Sequence, residues 1–238
     1  FFKKVMPTSK KLEKDEVKDY FNGTGFDRWK RIYSQSADVN TVQKNIRKGH
    51  QKTVDDVIAW LKDYPNLKKL NFCDVGCGVG SLSIPLLKLG VNQIQLSDIS
   101  SSMVNETRGR IKAAGLSSSK LKFKTCDLEN LTGNFDCVIC LDVFIHYPQE
   151  VAEEMVKHLC DLSKSKLIVS FAPYTPFLAI LKNIGKLFPG PSKTTRAYTL
   201  KESGIIKAAK AKGFVVTQSK LNKAPFYFSK LIEFNKMS

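Results

Sequence analysis

Residues 74–80 read Asp74-Val75-Gly76-Cys77-Gly78-Val79-Gly80, a glycine-rich turn that sets the fold class. The apolar residues 69–75 that lead into it are typical of a buried strand, and residues 81–89 after it have a helical pattern. Glycines between a strand and a helix allow a tight turn and let a ligand approach the backbone. The spacing departs from the dinucleotide fingerprint G-x-G-x-x-G, because the third glycine comes one residue early.

Apolar strands alternate with amphipathic helices along most of the chain. Strands are predicted at 69–75, 93–98, 121–126, 135–141 and 166–171, and helices at 81–89, 100–114 and 148–162. After a helix at 200–212, strands at 215–221 and 226–234 are separated by about four residues and predict a hairpin. The fold class is therefore α/β, Rossmann-like, with a mostly parallel sheet and a C-terminal antiparallel hairpin.

Further helices precede and interrupt this pattern. Residues 12–22 and 26–34 are helical, and residues 38–63 read as one long helix with apolar spacings of three and four. We therefore divide the chain into an N-terminal helical arm or lid, 1–65, and a sheet domain, 66–238. The domain contains an inserted cap helix and loop at 174–199, after the fifth strand.

The composition is strongly basic. The net charge is +16, yet only six of the 38 basic residues are Arg. The charge could attract nucleic acid, acidic lipid or a carboxylate substrate, or it could be solvated surface lysine. We favour the second interpretation, because recognition of flat anions usually recruits Arg. No apolar run approaches the roughly 18–20 residues that span a bilayer.

The six cysteines fall mostly in predicted strands. Cys137 and Cys140 form a C-x-x-C, but an odd offset on a strand points the two side chains to opposite faces, which argues against a zinc or redox site. Free buried thiols suggest a reducing compartment. The chain begins with Phe1 rather than Met, and we expect either a fragment or a form from which a leader segment has been removed.

Acidic residues follow three of the predicted strands. Asp98 ends the second strand, 18 residues beyond Gly80. Its carboxylate could accept two hydrogen bonds from a ribose diol, or it could cap the helix that begins near Ser100. Asp127 follows the third strand and could simply cap a turn. Asp142 ends the fourth strand and faces the same crevice.

The pattern D-x-G-x-G-x-G resembles the first motif of Rossmann-like methyltransferases. This resemblance implies S-adenosylmethionine as methyl donor, with Asp74 holding its amino group directly or through water and Asp98 binding the ribose. An acid after the third strand would take the adenine amino group, while the backbone of its neighbour reads the ring. The cofactor-binding residues would be Asp74, Gly76, Gly78, Gly80, Asp98, Asp127, Leu128 and Leu141.

Four segments together resemble one family, the magnesium-protoporphyrin IX O-methyltransferases of chlorophyll synthesis. They are 19–33 (DYFNGTGFDRWKRIY), 74–86 (DVGCGVGSLSIPL), 141–148 (LDVFIHYP) and 187–198 (LFPGPSKTTRAY). The glycine motif is shared by many methyltransferases, and the other three are more specific. The chain departs from the family in its lysine content and in the polar stretch 88–95 (KLGVNQIQ).

The family implies methyl transfer from S-adenosylmethionine to one propionate of magnesium protoporphyrin IX, which gives a monomethyl ester. A propionate has a pKa near that of Glu, roughly 4.3, so it is already ionised at neutral pH. The acceptor therefore needs no strong general base. It needs alignment with the methyl–sulfur bond and removal of its water.

Two residues are candidates for catalysis. His146 lies just past the fourth strand, and we expect it to orient the propionate oxygen. It could also be an ordinary loop histidine or an axial ligand of the substrate's magnesium. Tyr33 could hold the carboxylate or the donor, or it could only pack on the sheet. Tyr20 and Phe21 could close over the cofactor as a lid.

The porphyrin needs a wide apolar slot with cations at one edge. Ordinary core packing is the alternative for each apolar residue taken alone. The slot would be lined by Phe177, Leu181, Ile184 and Phe188, with Lys193 and Arg196 pairing with propionates. Of the other two histidines, His158 is expected to be structural, and His50 is expected to be a packed core or pocket-wall residue.

The remaining alternatives concern the acceptor. Another small-molecule or quinone-type O-methyltransferase would use the same fold, and so would a protein that binds the cofactor without catalysis. A nucleic-acid methyltransferase is disfavoured, because 141–144 (LDVF) lacks the NPPY-type pattern. We expect no nucleic-acid partner and no protein-bound metal. A magnesium chelatase subunit could deliver the substrate, and the inserted helix could touch a membrane. The family implies a plastid location, stromal or membrane-associated, or the cytoplasm of a photosynthetic bacterium.

Overall fold

A seven-stranded sheet forms the centre of the computed structural model, which describes residues 8–33, 39–116, 120–174 and 198–237. The sheet order is β3-β2-β1-β4-β5-β7-β6. The first five strands are parallel, β7 is antiparallel to β5, and β6 is antiparallel to β7. The strands are β1 Asn71–Val75, β2 Gln93–Asp98, β3 Leu121–Thr125, β4 Phe135–Cys140, β5 Ser163–Phe171, β6 Phe214–Ala224 and β7 Tyr227–Lys236. This arrangement confirms the predicted Rossmann-like sheet with its C-terminal hairpin.

Helices cover both faces of the sheet. They are α1 Thr8–Asn22, α2 Thr24–Ile32, α3 Thr41–Leu61, α4 Ser83–Leu89, α5 Ser101–Ala113, α6 Gln149–Leu162 and α7 Glu202–Lys210. Apolar residues of α6 and α7 form one core cluster, and those of α3, α4 and α5 form the other. Cys137 lies in the second cluster and Cys140 in the first, as their odd offset predicts.

The strand boundaries differ from the predictions where strands carry polar residues. β5 begins at Ser163 rather than at residue 166, because Ser163 pairs with Phe135 directly after α6. β6 runs on to Ala224, so a two-residue turn, not four, joins it to β7. β6 is an edge strand that is exposed over most of its length. It therefore lacks the apolar alternation from which its end could be predicted.

The helical arm has two distinct parts. Residues of α3 are buried in the core beneath the sheet, among them Val54, Val57 and Leu61. The helices α1 and α2 instead lie at the rim against α5, where Ser100 Oγ donates to the carbonyl of Phe21 at 2.8 Å. The arm thus ends beside the carboxyl edge of the sheet, where the glycine turn also lies. Whether residues 1–65 act as one unit stays a prediction.

The ends of the predicted insertion meet. The backbone of Leu200 donates to Ala172 at 2.8 Å and accepts from Tyr174 at 2.7 Å. The predicted cap helix and loop between them, including Phe177, Leu181, Ile184, Phe188, Lys193 and Arg196, lie outside the described residues. The two chain segments on either side of the insertion therefore lie next to each other, just beyond the end of β5.

Candidate functional site

The glycine turn after β1 is held by backbone hydrogen bonds and leaves open space above it. The amides of Gly76 and Cys77 both donate to the carbonyl of Ser97, at 2.8 and 3.0 Å. Gly76 has φ +76°, and a Cβ built there would overlap the side chain of Val143. Gly78 has φ +53°, and no atom lies within 4 Å of a Cβ built on it. The turn thus has room for a ligand against its backbone, which fits a nucleoside cofactor.

Asp98 lies at the end of β2, directly beside this turn. Its Oδ2 accepts from the amide of Gly78 at 2.9 Å, and its Oδ1 accepts from the amide of Ser100 at 2.9 Å. Ser100 itself caps α5, since its Oγ accepts from the amide of Met103. Burial raises the pKa of Asp98 to about 6, although both backbone hydrogen bonds lower it. The carboxylate supports the turn and retains lone pairs for a ribose diol.

Asp74 is a buried residue of β1, beneath the glycine turn. It ends β1 with 2% exposure, and Ser83 Oγ donates to its Oδ2 at 2.5 Å. Burial raises the pKa of Asp74 to about 7, while the hydrogen bond from Ser83 lowers it. The carboxylate therefore joins β1 to the first turn of α4 beneath the glycine turn. A role at the cofactor's amino group stays a prediction.

The residues after β3 form a short 3-10 helix, Leu128–Asn130, with Asp127 before it. Asp127 Oδ2 accepts from Asn130 Nδ2 at 3.3 Å, a contact between side chains, and the Asp127 side chain makes no hydrogen bond that caps the backbone of this turn. Leu128 packs in part against the core, and Leu141 is buried at the end of β4. These contacts do not test the adenine role of Asp127, which stays a prediction.

Asp142 follows β4 and receives four side-chain hydrogen bonds. Oδ1 accepts from Ser170 at 2.6 Å and from Ser229 at 3.0 Å, and Oδ2 accepts from His50 at 2.8 Å and from Tyr227 at 2.7 Å. Its backbone has φ +56°, and its amide donates to Ser170. Burial alone would raise the pKa of Asp142, but these donors and the charge of His50 lower it to about 2. Asp142 is therefore ionised at neutral pH.

His50 lies on α3 and bridges two parts of the site. Its Nδ1 faces Asp142, and its Nε2 lies 2.9 Å from the Oγ of Ser81, the residue after the glycine turn. His50 is 8% exposed, which is compatible with the expected packed core or pocket-wall position. Its position on an apolar helix face indicated burial, but both ring nitrogens have polar partners.

The network continues from Asp142 toward the hairpin. The hydroxyl of Tyr227 lies 3.0 Å from Thr53 Oγ1, and Asn222 Nδ2 donates both to that oxygen and to Asp56. Lys220 pairs with the same Asp56 carboxylate. A continuous chain of polar contacts therefore links the end of β4, helix α3 and the C-terminal hairpin.

His146 lies in a 3-10 helix, Phe144–His146, beyond β4. Its Nδ1 is buried and, within the described part of the chain, has no hydrogen-bond partner. Burial lowers its pKa to about 4, against a raising effect of Asp142. Phe21 of the arm packs edge-on against the imidazole at 5.0 Å. His146 is therefore a neutral side chain with an unused polar atom.

Tyr33 ends the arm next to His50. Its ring stacks on Trp29 at 5.8 Å and meets the ring of His50 edge-on at 5.2 Å. Burial raises the pKa of Tyr33 well above its usual value, and Asp142 adds to this. The packing that was the alternative explanation for Tyr33 is thus present. Its hydroxyl stays protonated and could still donate to a ligand.

The third histidine, His158, has a local backbone partner. His158 Nε2 lies 3.0 Å from the carbonyl of Leu131, which is the structural role expected for it. Over the described ranges, no group of three or more His, Cys, Asp or Glu side chains is placed to hold a metal ion. The six cysteines are free.

Sequence reasoning missed most of the Asp142 network. Ser81, Ser170 and the β7 residues Tyr227 and Ser229 come from three separate regions of the chain, and no sequence motif marks them. Two signals were available. Asp142 follows a strand at the carboxyl edge of the sheet, and a histidine on an otherwise apolar helix face needs polar partners.

Comparison with known proteins places the chain in a family. Residues 72–166 match the family model of a methyltransferase domain, and residues 140–236 match the C-terminal model of magnesium-protoporphyrin IX methyltransferase. Magnesium-protoporphyrin O-methyltransferase from Synechocystis is 51% identical over 93% of this chain and 95% of its own length. The chain belongs to the magnesium-protoporphyrin IX methyltransferase family.

Other members of the magnesium-protoporphyrin IX methyltransferase family agree with this placement. The chloroplastic enzyme of Arabidopsis thaliana is 48% identical over 93% of this chain and 70% of its own length. The crystal structure of the Synechocystis enzyme with bound S-adenosylhomocysteine has a TM-score of 0.86 at 49% identity. The match covers 94% of this chain and 100% of the Synechocystis chain. The fold is therefore that of the family.

Proposed function

We propose that this protein transfers a methyl group from S-adenosylmethionine to a propionate carboxylate of magnesium protoporphyrin IX, giving the monomethyl ester. The observation that carries the proposal is the 51% identity to a magnesium-protoporphyrin O-methyltransferase along nearly the whole of both chains. The site contributes a turn with open space above Gly78 and a buried neutral imidazole, His146, across the same edge of the sheet.

The donor side consists of the glycine turn and the acids that follow the strands. S-adenosylmethionine supplies a methyl carbon bonded to a positively charged sulfur. Gly76, Gly78 and Gly80 let the cofactor lie against the backbone, and Asp98 accepts hydrogen bonds from the ribose. Asp74 binds the amino group through water, Asp127 and Leu128 receive the adenine, and Leu141 closes the crevice.

The acceptor side needs orientation more than acid–base catalysis. The propionate arrives ionised, so no side chain has to remove a proton. His146 is neutral and can donate one hydrogen bond to a carboxylate oxygen through its unpartnered Nδ1. Tyr33 is protonated and can donate a second. Two neutral donors fix the carboxylate without neutralising the charge that attacks the methyl group.

The arm and the insertion enclose the substrate. Phe21 contacts the His146 imidazole, so closure of α1 would exclude water from the acceptor. The insertion begins and ends where the Leu200 backbone bonds to Ala172 and Tyr174. Its last described end also reaches the site, since the amide of Tyr198 donates to the carbonyl of Ile145 at 2.7 Å. We propose that Phe177, Leu181, Ile184 and Phe188, which lie between these ends in the sequence, line the apolar slot, and that Lys193 and Arg196 pair with the propionates.

The partners and location follow from the same substrate. A magnesium chelatase subunit delivers the porphyrin, and the insertion contacts a membrane at its surface. No helix in the described part of the chain is long and apolar enough to cross a membrane. The relative from Arabidopsis is chloroplastic, and we propose a plastid stroma or membrane surface for this protein as well.

Incubation of the purified protein with S-adenosylmethionine and magnesium protoporphyrin IX tests the function. Mass spectrometry should show the gain of one methyl group on the porphyrin. Magnesium protoporphyrin IX dimethyl ester is the matched control, because it keeps the metal while both of its carboxylates are blocked, and it should gain nothing. Cofactor binding in calorimetry without any methylated porphyrin would contradict the proposed acceptor while leaving the methyltransferase fold in place.

A further inference from the structure

His50 is a buried polar residue that the transfer reaction, as described so far, does not use. It is 8% exposed, and both ring nitrogens are within hydrogen-bond distance of partners. One partner, Ser81, follows the glycine turn of the donor side. The other, Asp142, follows β4 and begins the segment that carries the acceptor residue His146.

The direction of these hydrogen bonds follows from the state of Asp142. An ionised carboxylate only accepts hydrogen bonds, so His50 Nδ1 carries a proton and donates to it. The remaining acceptor sites of the carboxylate face Tyr227, Ser170 and Ser229, which fix its position from β5 and β7. His50 is therefore attached to a rigid support through Nδ1 and reaches Ser81 through Nε2.

The glycine turn does not need this bridge in order to fold. Its amides are already bound to Ser97, Gly78 donates to Asp98, and Thr107 Oγ1 donates to the carbonyl of Gly78 at 2.7 Å. What the bridge adds is a fixed spacing between the turn and the end of β4. The ring of Tyr33 also meets the ring of His50 edge-on, so His50 contacts a third part of the site.

We propose that His50 is a positioning residue for methyl transfer, which fixes the donor-side turn at Ser81 relative to the acceptor side at Asp142 and supports Tyr33. This inference rests on the proposed function. Transfer between two bound groups depends steeply on their alignment, and a misplacement of about 1 Å can cost about 100-fold in rate. Loss of the bridge should therefore lower kcat about 10- to 100-fold. The affinity for S-adenosylmethionine should change less than about threefold, because the turn keeps its own hydrogen bonds.

Two substitutions separate the two ends of the bridge. The amide nitrogen of Asn can take the place of Nδ1, so His50→Asn retains a donor to Asp142 and loses Ser81. The amide of Gln reaches the place of Nε2, so His50→Gln retains Ser81 and loses Asp142. Ser81→Ala removes the same contact as His50→Asn from the other side. If the bridge acts as one unit, the double variant Ser81→Ala/His50→Asn should lose no more kcat than His50→Asn alone, which already lacks both the Ser81 contact and the ring that meets Tyr33.

The experiment measures kcat, KM for the porphyrin and the cofactor dissociation constant for these variants and for His158→Asn. His158 is the matched control, because it makes a partly buried hydrogen-bond contact on α6, away from the site. The expected result is a fall in kcat for the His50 and Ser81 variants, non-additive in the double variant, with cofactor affinity retained and His158→Asn unchanged. Thermal unfolding of each variant verifies that the fold is intact, and a loss of kcat confined to variants that unfold early would overturn the proposal.

Two further outcomes would also overturn it. A kcat within twofold of the parent in His50→Asn and Ser81→Ala would show that the bridge has no role in alignment. Cofactor affinity that falls in step with kcat would make His50 part of donor binding instead. Failure of the function is separate and is seen in the unsubstituted protein, which would then give no methyl ester at all.

Discussion

Two aspartates at the carboxyl edge of the sheet have opposite pKa shifts. Asp98 is buried with two backbone amide donors, and burial raises its pKa to about 6. Asp142 is also buried, but four side-chain donors and the His50 charge lower its pKa to about 2. The same residue type is therefore permanently charged at one strand end and titrates near neutral pH at the other.

Cofactor affinity should depend on pH through Asp98. An ionised carboxylate accepts both ribose hydroxyls, so binding is strong above the pKa of about 6 and weakens as the pH falls through it. Between pH 6 and pH 5 the ionised fraction of Asp98 should fall about fivefold, and its contribution to binding with it. Calorimetry at pH 5, 6, 7 and 8 measures this, with Asp98→Asn as the comparison. Asp74, with a pKa of about 7, titrates in the same range. An identical pH dependence in Asp98→Asn and the parent would assign the effect to Asp74.

The turnover number should not depend on the titration of His146 near neutral pH. Its pKa of about 4 keeps the imidazole neutral, so kcat at saturating cofactor should be constant from about pH 6 to pH 8. His146→Ala should lower kcat roughly 10- to 100-fold and leave cofactor affinity unchanged, and His146→Asn should restore part of the loss through its amide. A decline in kcat centred near pH 6.5 would instead mean that this histidine acts as a base with an ordinary pKa.

At the scale of elements, the glycine turn depends on a conformation that other residues adopt at a cost. The substitution Gly76→Ala should lower the free energy of unfolding by about 1 kcal/mol, because alanine is strained in the left-handed backbone conformation at this position. Overlap with Val143 should add about 1–3 kcal/mol. Gly115→Ala is the matched control, since Gly115 has φ +70° and no atom within 4 Å of an added Cβ. The thermal midpoint should fall about 2–4 °C in the control and at least twice as far in Gly76→Ala. Equal shifts would show that Val143 moves aside freely.

Helices and strands could be predicted from the sequence where the pattern of apolar and polar residues follows burial. β1, β2 and β4 lie in the sheet interior, where β1 and β4 read as mainly apolar runs and β2 alternates polar and apolar residues. Asn40 forms a capping box with Gln43 that begins α3. The end of the edge strand β6 could not be predicted in this way, because the strand is mostly exposed and mixes apolar residues such as Val215, Val216 and Leu221 with polar ones. The start of β5 could not be predicted either, because residues 163–166, directly after α6, are all polar.

At the scale of the whole molecule, one buried ion pair joins the parallel sheet to the hairpin. Lys166 of β5 and Glu233 of β7 are 3% and 2% exposed, and Nζ lies 2.7 Å from Oε1. Lys166→Met would leave the Glu233 charge buried without its partner, so we expect a loss of about 3–5 kcal/mol in the free energy of unfolding. Chemical denaturation monitored by circular dichroism measures it.

The exposed pair Lys212–Asp161 provides the control for this prediction. Its side chains are 35% and 55% exposed, so Lys212→Met should cost no more than about 1 kcal/mol. The double variant Lys166→Met/Glu233→Leu should recover most of the stability, because no unpaired charge remains. A double variant as unstable as Lys166→Met would mean that packing, and not charge, is responsible.

The donor side of the site was more accessible to sequence analysis than the acceptor side. Its residues lie in one turn and at strand ends whose spacing is local, so Gly76, Gly78 and Asp98 could be found without the fold. The shell around Asp142 joins α3, β5 and β7, whose sequence separations carry no common pattern. Ser229 or Tyr227 could be assigned to it only after the order of the strands was known.

The late position of β7 in the chain has a consequence for biosynthesis. Tyr227 and Ser229, two of the four donors to Asp142, lie on a strand that must insert between β5 and β6 after both have been synthesised. A nascent polypeptide on the ribosome would thus fold the glycine turn and Asp98 well before Asp142 acquires its full set of donors. Because such long-range strand pairing is slow, the last step of maturation should be the closure of the acceptor half around an already formed cofactor half.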